Sequence, residues 1–192
     1  MKKNYVLLTF ILLGLSISTA FSQAFEQGSN YISAGYGLGT FTGSIFSVYE
    51  NYDDYSNKTL GPIYVKYGHA VSDKVEFGLN FGLTQHDLQF TDLGTTVNIK
   101  RVAWSALASL KLHFGDNDRF DPYWSIGLGY RTATWNFEYS DPSYQPTTVK
   151  SVVPLGFETT FGARYLVTDN IGIYAELGIA QSYLQGGLVA KL

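Results

Sequence analysis

The sequence predicts an all-β protein, an eight-stranded antiparallel up-and-down transmembrane β-barrel. Three observations carry that prediction. The first is an alternation of period two, in which large apolar side chains share one parity and glycine, polar and charged side chains share the other. The second is the N-terminus. Lys2 and Lys3 precede an apolar run over 6–17 and then the small residues Ser18, Thr19 and Ala20. That order marks a secretory signal peptide, assigned to 1–22, with the barrel domain at 23–192. The third is composition: 15 Tyr, 13 Phe and 20 Gly, with 15% charged residues and no cysteine. An exported chain without cysteine has no disulfide to staple it, so closure and packing must stabilise it.

The segment at 75–86 shows the alternation most plainly. Val75, Phe77, Leu79, Phe81 and Leu83 share one face; Glu76, Gly78, Asn80, Gly82, Thr84 and His86 share the other. Ahead of it, 30–41 sends Ile32, Ala34, Tyr36 and Leu38 one way. The segment 60–71 sets Ile63, Val65, Tyr67 and Val71 against Tyr64, Lys66, Gly68 and Ala70. Behind it, 99–114 sets Val102, Trp104, Ala106, Ala108, Leu110 and Leu112 against Ser105, Ser109, Lys111 and His113. In 122–136, Trp124, Ile126, Leu128 and Tyr130 oppose Tyr123, Ser125, Gly127 and Arg131. The segment 152–166 opposes Leu155, Phe157, Phe161 and Tyr165 to Glu158, Thr160 and Arg164. The segment 171–180 carries Ile171, Ile173, Leu177 and Ile179 outward with Tyr174 and Glu176 inward, and an eighth strand ends at Leu192.

Long polar loops are expected at 42–59, 87–98 and 137–150, and tight turns at 72–74 and 168–170. An even strand count with long loops at one end and short turns at the other places both termini on the periplasmic side. No later stretch holds 18 consecutive apolar residues, so none is a helical span. Strands of ~9–11 residues suffice to cross a bilayer.

The sense of the alternation decides the solvent. A soluble up-and-down barrel that encloses a ligand keeps apolar residues inside. Here the inward set is Lys66, Glu76, Lys111, Arg131, Glu158, Arg164, Glu176 and Lys191, together with many glycines. Confined charges must pair or meet water, so the expected interior is an ion-pair network that fills the barrel; the alternative is a polar conduit. Outward aromatics at Tyr67, Phe77, Phe114, Trp124 and Tyr165 fit one interfacial girdle, and Trp104 and Tyr130 fit the other.

The signal peptide, the eight alternating strands and the passage G-D-N-D-R-F-D-P-Y at 115–123 resemble the small outer-membrane β-barrel domain family of Gram-negative bacteria. This is the porin-like group that includes types similar to outer-membrane proteins A, X and W. The resemblance covers nearly all of the mature chain and implies an outer-membrane location, outer-membrane lipid and lipopolysaccharide as surroundings, and insertion by the outer-membrane assembly machinery. Members of that group usually end in an aromatic residue; this chain keeps Gly187, Ala190 and Leu192 at the corresponding spacing but closes on Leu192.

Loss of the leader removes two lysines from 13 basic residues, leaving 11 against 16 acidic, a net charge of −5. That balance excludes a typical nucleic-acid binder. His69, His86 and His113 have no close spacing that would make a zinc site. Some outer-membrane barrels resemble lipid-modifying hydrolases or acyltransferases that use a histidine with Ser or Asp near the outer leaflet; that resemblance would give His86, beside Asp87 near the outer rim, such a role, but no serine motif supplies a nucleophile. The acids from Asp116 to Asp121 lack the glycine and terminal glutamate of a calcium-binding EF-hand loop. Tyr49, Tyr52 and Tyr55 are candidate contact residues for a partner.

The sequence therefore points to a monomeric, non-enzymatic integral outer-membrane protein serving envelope integrity or surface interaction through its loops. A narrow pore for small solutes or ions is the alternative, and a lipid-modifying enzyme the second. No cofactor is implied.

Overall fold

The computed structural model describes residues 24–192; the assigned signal peptide, 1–22, lies outside the described residues. β1 (Asn30–Leu38) leads to a short helix, α1 (Phe41–Phe46), and a 3-10 turn at Ser47–Tyr49. There follow β2 (Asp53–Ser72), β3 (Val75–Asp92), β4 (Thr95–His113), β5 (Phe120–Tyr139), β6 (Thr147–Lys150), β7 (Leu155–Leu166), β8 (Ile171–Ile179) and β9 (Leu184–Lys191). All pairings are antiparallel. The order β4-β3-β2-β1-β9-β8-β7-β5 closes through β4–β5 into an eight-stranded barrel, with β6 laid along β5 as a short extra strand. Closure removes every strand edge from the span, as lipid demands, because lipid offers no hydrogen bonds.

The faces follow the alternation. Phe77 (55% exposed), Leu79 (50%), Phe81 (53%) and Leu83 (47%) point away from the barrel, while Glu76, Asn80 and Thr84 are buried inside it. An apolar belt of this size on all strands would be untenable in water. Trp104 and Tyr130 lie ring to ring at 5.0 Å, and Trp124 stacks near Phe161 at 6.3 Å, on the outer surface. At the turn end the termini meet: Asn30 N donates to Leu192 O (3.2 Å) and Leu192 N to Asn30 O (2.8 Å).

The barrel is lopsided. β2 to β5 contain 20, 18, 19 and 20 residues, whereas β1, β7, β8 and β9 contain 9, 12, 9 and 8. At ~3.3 Å per residue the long strands run about 60 Å, roughly twice the length of the short ones. A four-stranded wall therefore stands above the lipid belt at the loop end. The β5–β7 ladder stops at Tyr130↔Leu155, and β6 covers β5 above it, from Thr134↔Lys150 to Phe137↔Thr147.

All three expected loops are in large part replaced by structure. Residues 87–98 continue the β3–β4 ladder to a two-residue turn, Leu93-Gly94, between the paired Asp92 and Thr95. Both turn residues have positive φ (47° and 80°), as a tight hairpin matching strand twist requires. Residues 42–59 hold α1, the 3-10 turn and the upper part of β2. The segments read as polar loops because their outward residues are polar; the alternation continues with its sense reversed, Leu88, Phe90, Val97 and Ile99 now lying inward. Residues 137–150 likewise shrink to a connection between β5 and β6.

Thr40 caps α1 by accepting the Gly43 N–H at 2.9 Å. β2 bulges between Leu60↔Gln85 and Ile63↔Leu83. Gly61 there has φ +85°, and a Cβ would press on the Leu83 carbonyl oxygen at 2.6 Å; Pro62 has no N–H to lose from the ladder.

Candidate functional site in the barrel lumen

The lumen is layered, and strand register builds the lowest layer. Glu76 and Lys111 are opposite partners on β3 and β4, as are Asp121 and Arg164 on β5 and β7. Lys111 Nζ donates to Glu76 Oε1 at 2.6 Å. Arg164 reaches across the barrel, Nη2 to Glu76 Oε2 at 2.5 Å and Nε to Asp121 Oδ2 at 2.7 Å. His113 Nδ1 lies 2.8 Å from Asp121 Oδ1. Below this layer the N-terminal segment folds under the barrel. Phe25 stacks on His113 with centroids 3.6 Å apart, Tyr31 donates to the Ala24 carbonyl at 3.1 Å, and the Arg164 guanidinium lies 3.9 Å over the Tyr31 ring. Gly68 makes room for the layer, since the Glu76 carboxylate occupies the space a Cβ would claim.

The next layer centres on Glu176. It accepts from Lys66 Nζ (2.7 Å), Tyr123 Oη (2.8 Å), Thr160 Oγ1 (2.9 Å) and Gln185 Nε2 (2.8 Å). β8 thus contacts β2, β5, β7 and β9 through one carboxylate. Above it Glu158 takes the Asn80 amide. A bar of Thr84, Gln181 and Ser105 then crosses the lumen: Thr84 Oγ1 donates to Gln181 Oε1 at 2.6 Å, and Gln181 Nε2 to Ser105 Oγ at 2.8 Å.

Over this bar lies a partly enclosed cavity of about 310 Å³, lined by Arg101, Arg131, His86, Thr40, Thr84 and Gln181 among others. Arg101 Nε, Arg131 Nε and Arg131 Nη2 are buried without a hydrogen-bond partner. The Arg101 guanidinium sits 5.1 Å over the Trp135 ring. His86 contacts two hydroxyls, Thr59 Oγ1 at 3.0 Å from Nδ1 and Thr40 Oγ1 at 3.4 Å from Nε2; its chain neighbour Asp87 follows the opposite parity and accepts from Gln85 at 3.0 Å.

The roof is the reversed part of the alternation. Phe46 of α1 packs with Leu88, Phe90 and Ile99, supported by Tyr49, Tyr55, Val97, Trp135 and Phe137. Tyr49 stacks on Phe90 at 4.6 Å and Tyr55 Oη donates to the Phe46 carbonyl at 3.5 Å. Two of the three loop tyrosines therefore support the roof, and Tyr52 is the exposed one.

Of the inward charges named from the sequence, Lys66, Glu76, Lys111, Arg164 and Glu176 meet in the two lower layers and Glu158 lies above them. Arg131 stands apart at the mouth, and Lys191 pairs with Glu26 at 3.2 Å near the turn end. Sequence reasoning missed four participants. Asp121 is weighed only as a calcium-loop acid, His113 is placed on the inward face but left out of the charge network, and Phe25 precedes the first strand. Arg101 falls on the inward parity of its strand, so the signal was present, but it borders a stretch read as loop.

The chain matches the outer membrane protein β-barrel domain family over residues 8–187. It belongs to that family. Among the solved barrels that share the fold are two from other Gram-negative bacteria. OprG from Pseudomonas aeruginosa has 12% identity and a TM-score of 0.53, with 89% of this chain and 99% of that one covered. Ail, the attachment invasion locus protein of Yersinia pestis, has 13% identity and a TM-score of 0.51, with 86% and 99% covered. At these identities the likeness is one of architecture. No curated protein sequence matches the chain.

Proposed function

We propose that this outer-membrane barrel is a non-enzymatic protein that serves envelope integrity or surface interaction, with its turn end and both termini in the periplasm and its tall wall outside. The observation that carries this reading is the lower lumen. Arg164 to Glu76 and Lys66 to Glu176 tie opposite walls together, and Phe25 underlies them, so the interior is filled by side chains, as eight strands allow. The material above the lipid belt is built instead into a roofed lobe, which offers an ordered outer surface. Both ring nitrogens of His86 meet threonine hydroxyls and neither is held by a carboxylate, so the base of a hydrolytic triad has no orienting acid, which favours the non-enzymatic reading.

In this reading the partners are outer-membrane lipid and lipopolysaccharide around the apolar belt, and the assembly machinery during insertion. The protein acts as a monomer without a cofactor. Single-channel recording of refolded protein in a planar bilayer tests the proposal. A filled barrel stays silent; discrete steps from folded protein would install the narrow pore instead. Deleting 86–98, the outer β3–β4 hairpin, should then abolish surface interaction while leaving the barrel inserted.

A further inference from the structure

The lower lumen is charge-balanced and the mouth is not. Below, Lys66, Lys111 and Arg164 meet Glu76, Glu176 and Asp121 in matched ion pairs. At the mouth, Arg101 and Arg131 face one cavity, and no ion pair among the described residues includes either. Glu158, the acid nearest in influence to Arg131, lies in the layer below and is engaged by Asn80. Two guanidinium groups border a shared, partly enclosed space, and beside it Arg101 Nε, Arg131 Nε and Arg131 Nη2 are buried with no hydrogen-bond partner; two cations without an acid are an arrangement that an anion completes.

We propose that the cavity binds a small solute bearing an oxyanion (phosphate, sulfate or carboxylate) on a hydroxylated body about the size of a monosaccharide. The guanidinium forks suit the oxyanion. Thr40, Thr84, Gln181 and His86 line the rest of the 310 Å³ with hydrogen-bonding groups suited to hydroxyls, and that volume sits at the lower end of ~300–1,000 Å³ ligand pockets. Part of the rim, Phe41, Ile179 and Tyr183, lies on the low side of the barrel; the ligand proposed is a free solute, and the headgroup of a lipid in the surrounding belt is the competing outcome of the test. Because the bar of Thr84, Gln181 and Ser105 floors the cavity, it is a receptor site that a non-conducting barrel can hold. The proposal goes beyond the surface role above and does not depend on it.

The structure supplies its own reporter. Of the three tryptophans, Trp104 and Trp124 lie on the outer surface and Trp135 lies under the Arg101 guanidinium. In refolded Trp104→Phe, Trp124→Phe protein in detergent micelles, glucose 6-phosphate should change Trp135 emission saturably, and glucose should not. Isothermal titration of the unsubstituted protein gives a second readout. Inorganic phosphate should bind at least tenfold more weakly, and Arg101→Gln with Arg131→Gln should weaken glucose 6-phosphate at least tenfold while circular dichroism confirms a folded barrel. No saturable binding by either readout would overturn the proposal, as would unchanged affinity in the folded double variant. Equal affinity for inorganic phosphate would overturn the sugar-sized ligand, and a response only to lipid A-bearing micelles would assign the arginines to a lipid headgroup.

Discussion

Leu83 and Leu88 belong to the same strand, yet one is buried against lipid and the other against protein. Up to Leu83, β3 shows its apolar side chains to the outside and its polar ones to the lumen; from Leu88 the inward residues are apolar and the outward ones, such as Gln89, are polar. β4 and β5 switch in the same storey, from Trp104 and Tyr130 outside to Ile99 and Trp135 inside. The backbone pleat does not change across this boundary, so the reversal is written by side chains alone. Where lipid is outside, polar groups retreat inward and must satisfy one another, which yields the ion-pair layers. Where water is outside, the apolar groups retreat inward and need a lid, which α1 supplies through Phe46.

The largest effect should come from breaking the lower storey. Glu76→Gln leaves Lys111 and Arg164 buried with Asp121 as the remaining carboxylate. Removing one partner of a buried pair costs about 3–5 kcal/mol, read as a lower urea midpoint for unfolding of the reconstituted protein. A loss under about 1 kcal/mol would show that water, and not packing, satisfies this layer.

Next in size is a direct test of the boundary. Leu79 and Gln89 are both outward on β3, one below the switch and one above. Leu79→Arg should cost about 2–4 kcal/mol, the penalty for a cation on the lipid face of a barrel near mid-membrane. Gln89→Arg should change stability by less than about 0.5 kcal/mol, as at an ordinary wetted surface. Similar costs at both positions would remove the reversal from its place above the belt.

The barrel was legible in the sequence because one parity carries Val75 through Leu83 without interruption, and the same sense recurs on every strand. The upper storey was not, because a strand whose apolar residues change face looks like a loss of pattern when only one sense is followed. The charges divide for a similar reason. Inward parity places Lys66 and Glu176 in the lumen, but their meeting depends on β2 and β8 facing each other across a closed barrel. Pairing of that kind follows from closure and shear, which no local periodicity states. The arginine pair is a middle case: Arg101 and Arg131 lie on the adjacent strands β4 and β5 on inward parity, but their lack of an ion-pair partner depends on where the carboxylates of the other strands fall in the closed barrel.

The arginines give a smaller effect of opposite sign. A half-buried guanidinium lacking an acid costs desolvation with little return, so Arg101→Gln should leave the ligand-free protein as stable as the parent or about 1 kcal/mol more stable. The contrast with Glu76→Gln, measured in the same urea series, separates a layer arranged for stability from a site arranged for something else. Destabilisation of Arg101→Gln by about 3 kcal/mol would instead mean that its stacking on Trp135 holds the roof.

The smallest effect lies at the far tip of the tall wall. Leu93 is 99% exposed and holds φ at +47°, a conformation that costs a leucine and suits asparagine. With Gly94 next to it, Leu93→Asn creates the Asn-Gly pair that two-residue hairpins prefer. The gain should be about 0.5 kcal/mol, visible as slower amide exchange at Thr91 and Thr96, which pair across the hairpin. The global urea midpoint, set by the lower lumen, should not move. If it does, the two storeys unfold as one unit. An unchanged midpoint with slower exchange would show that the outer lobe opens independently of the barrel that carries it.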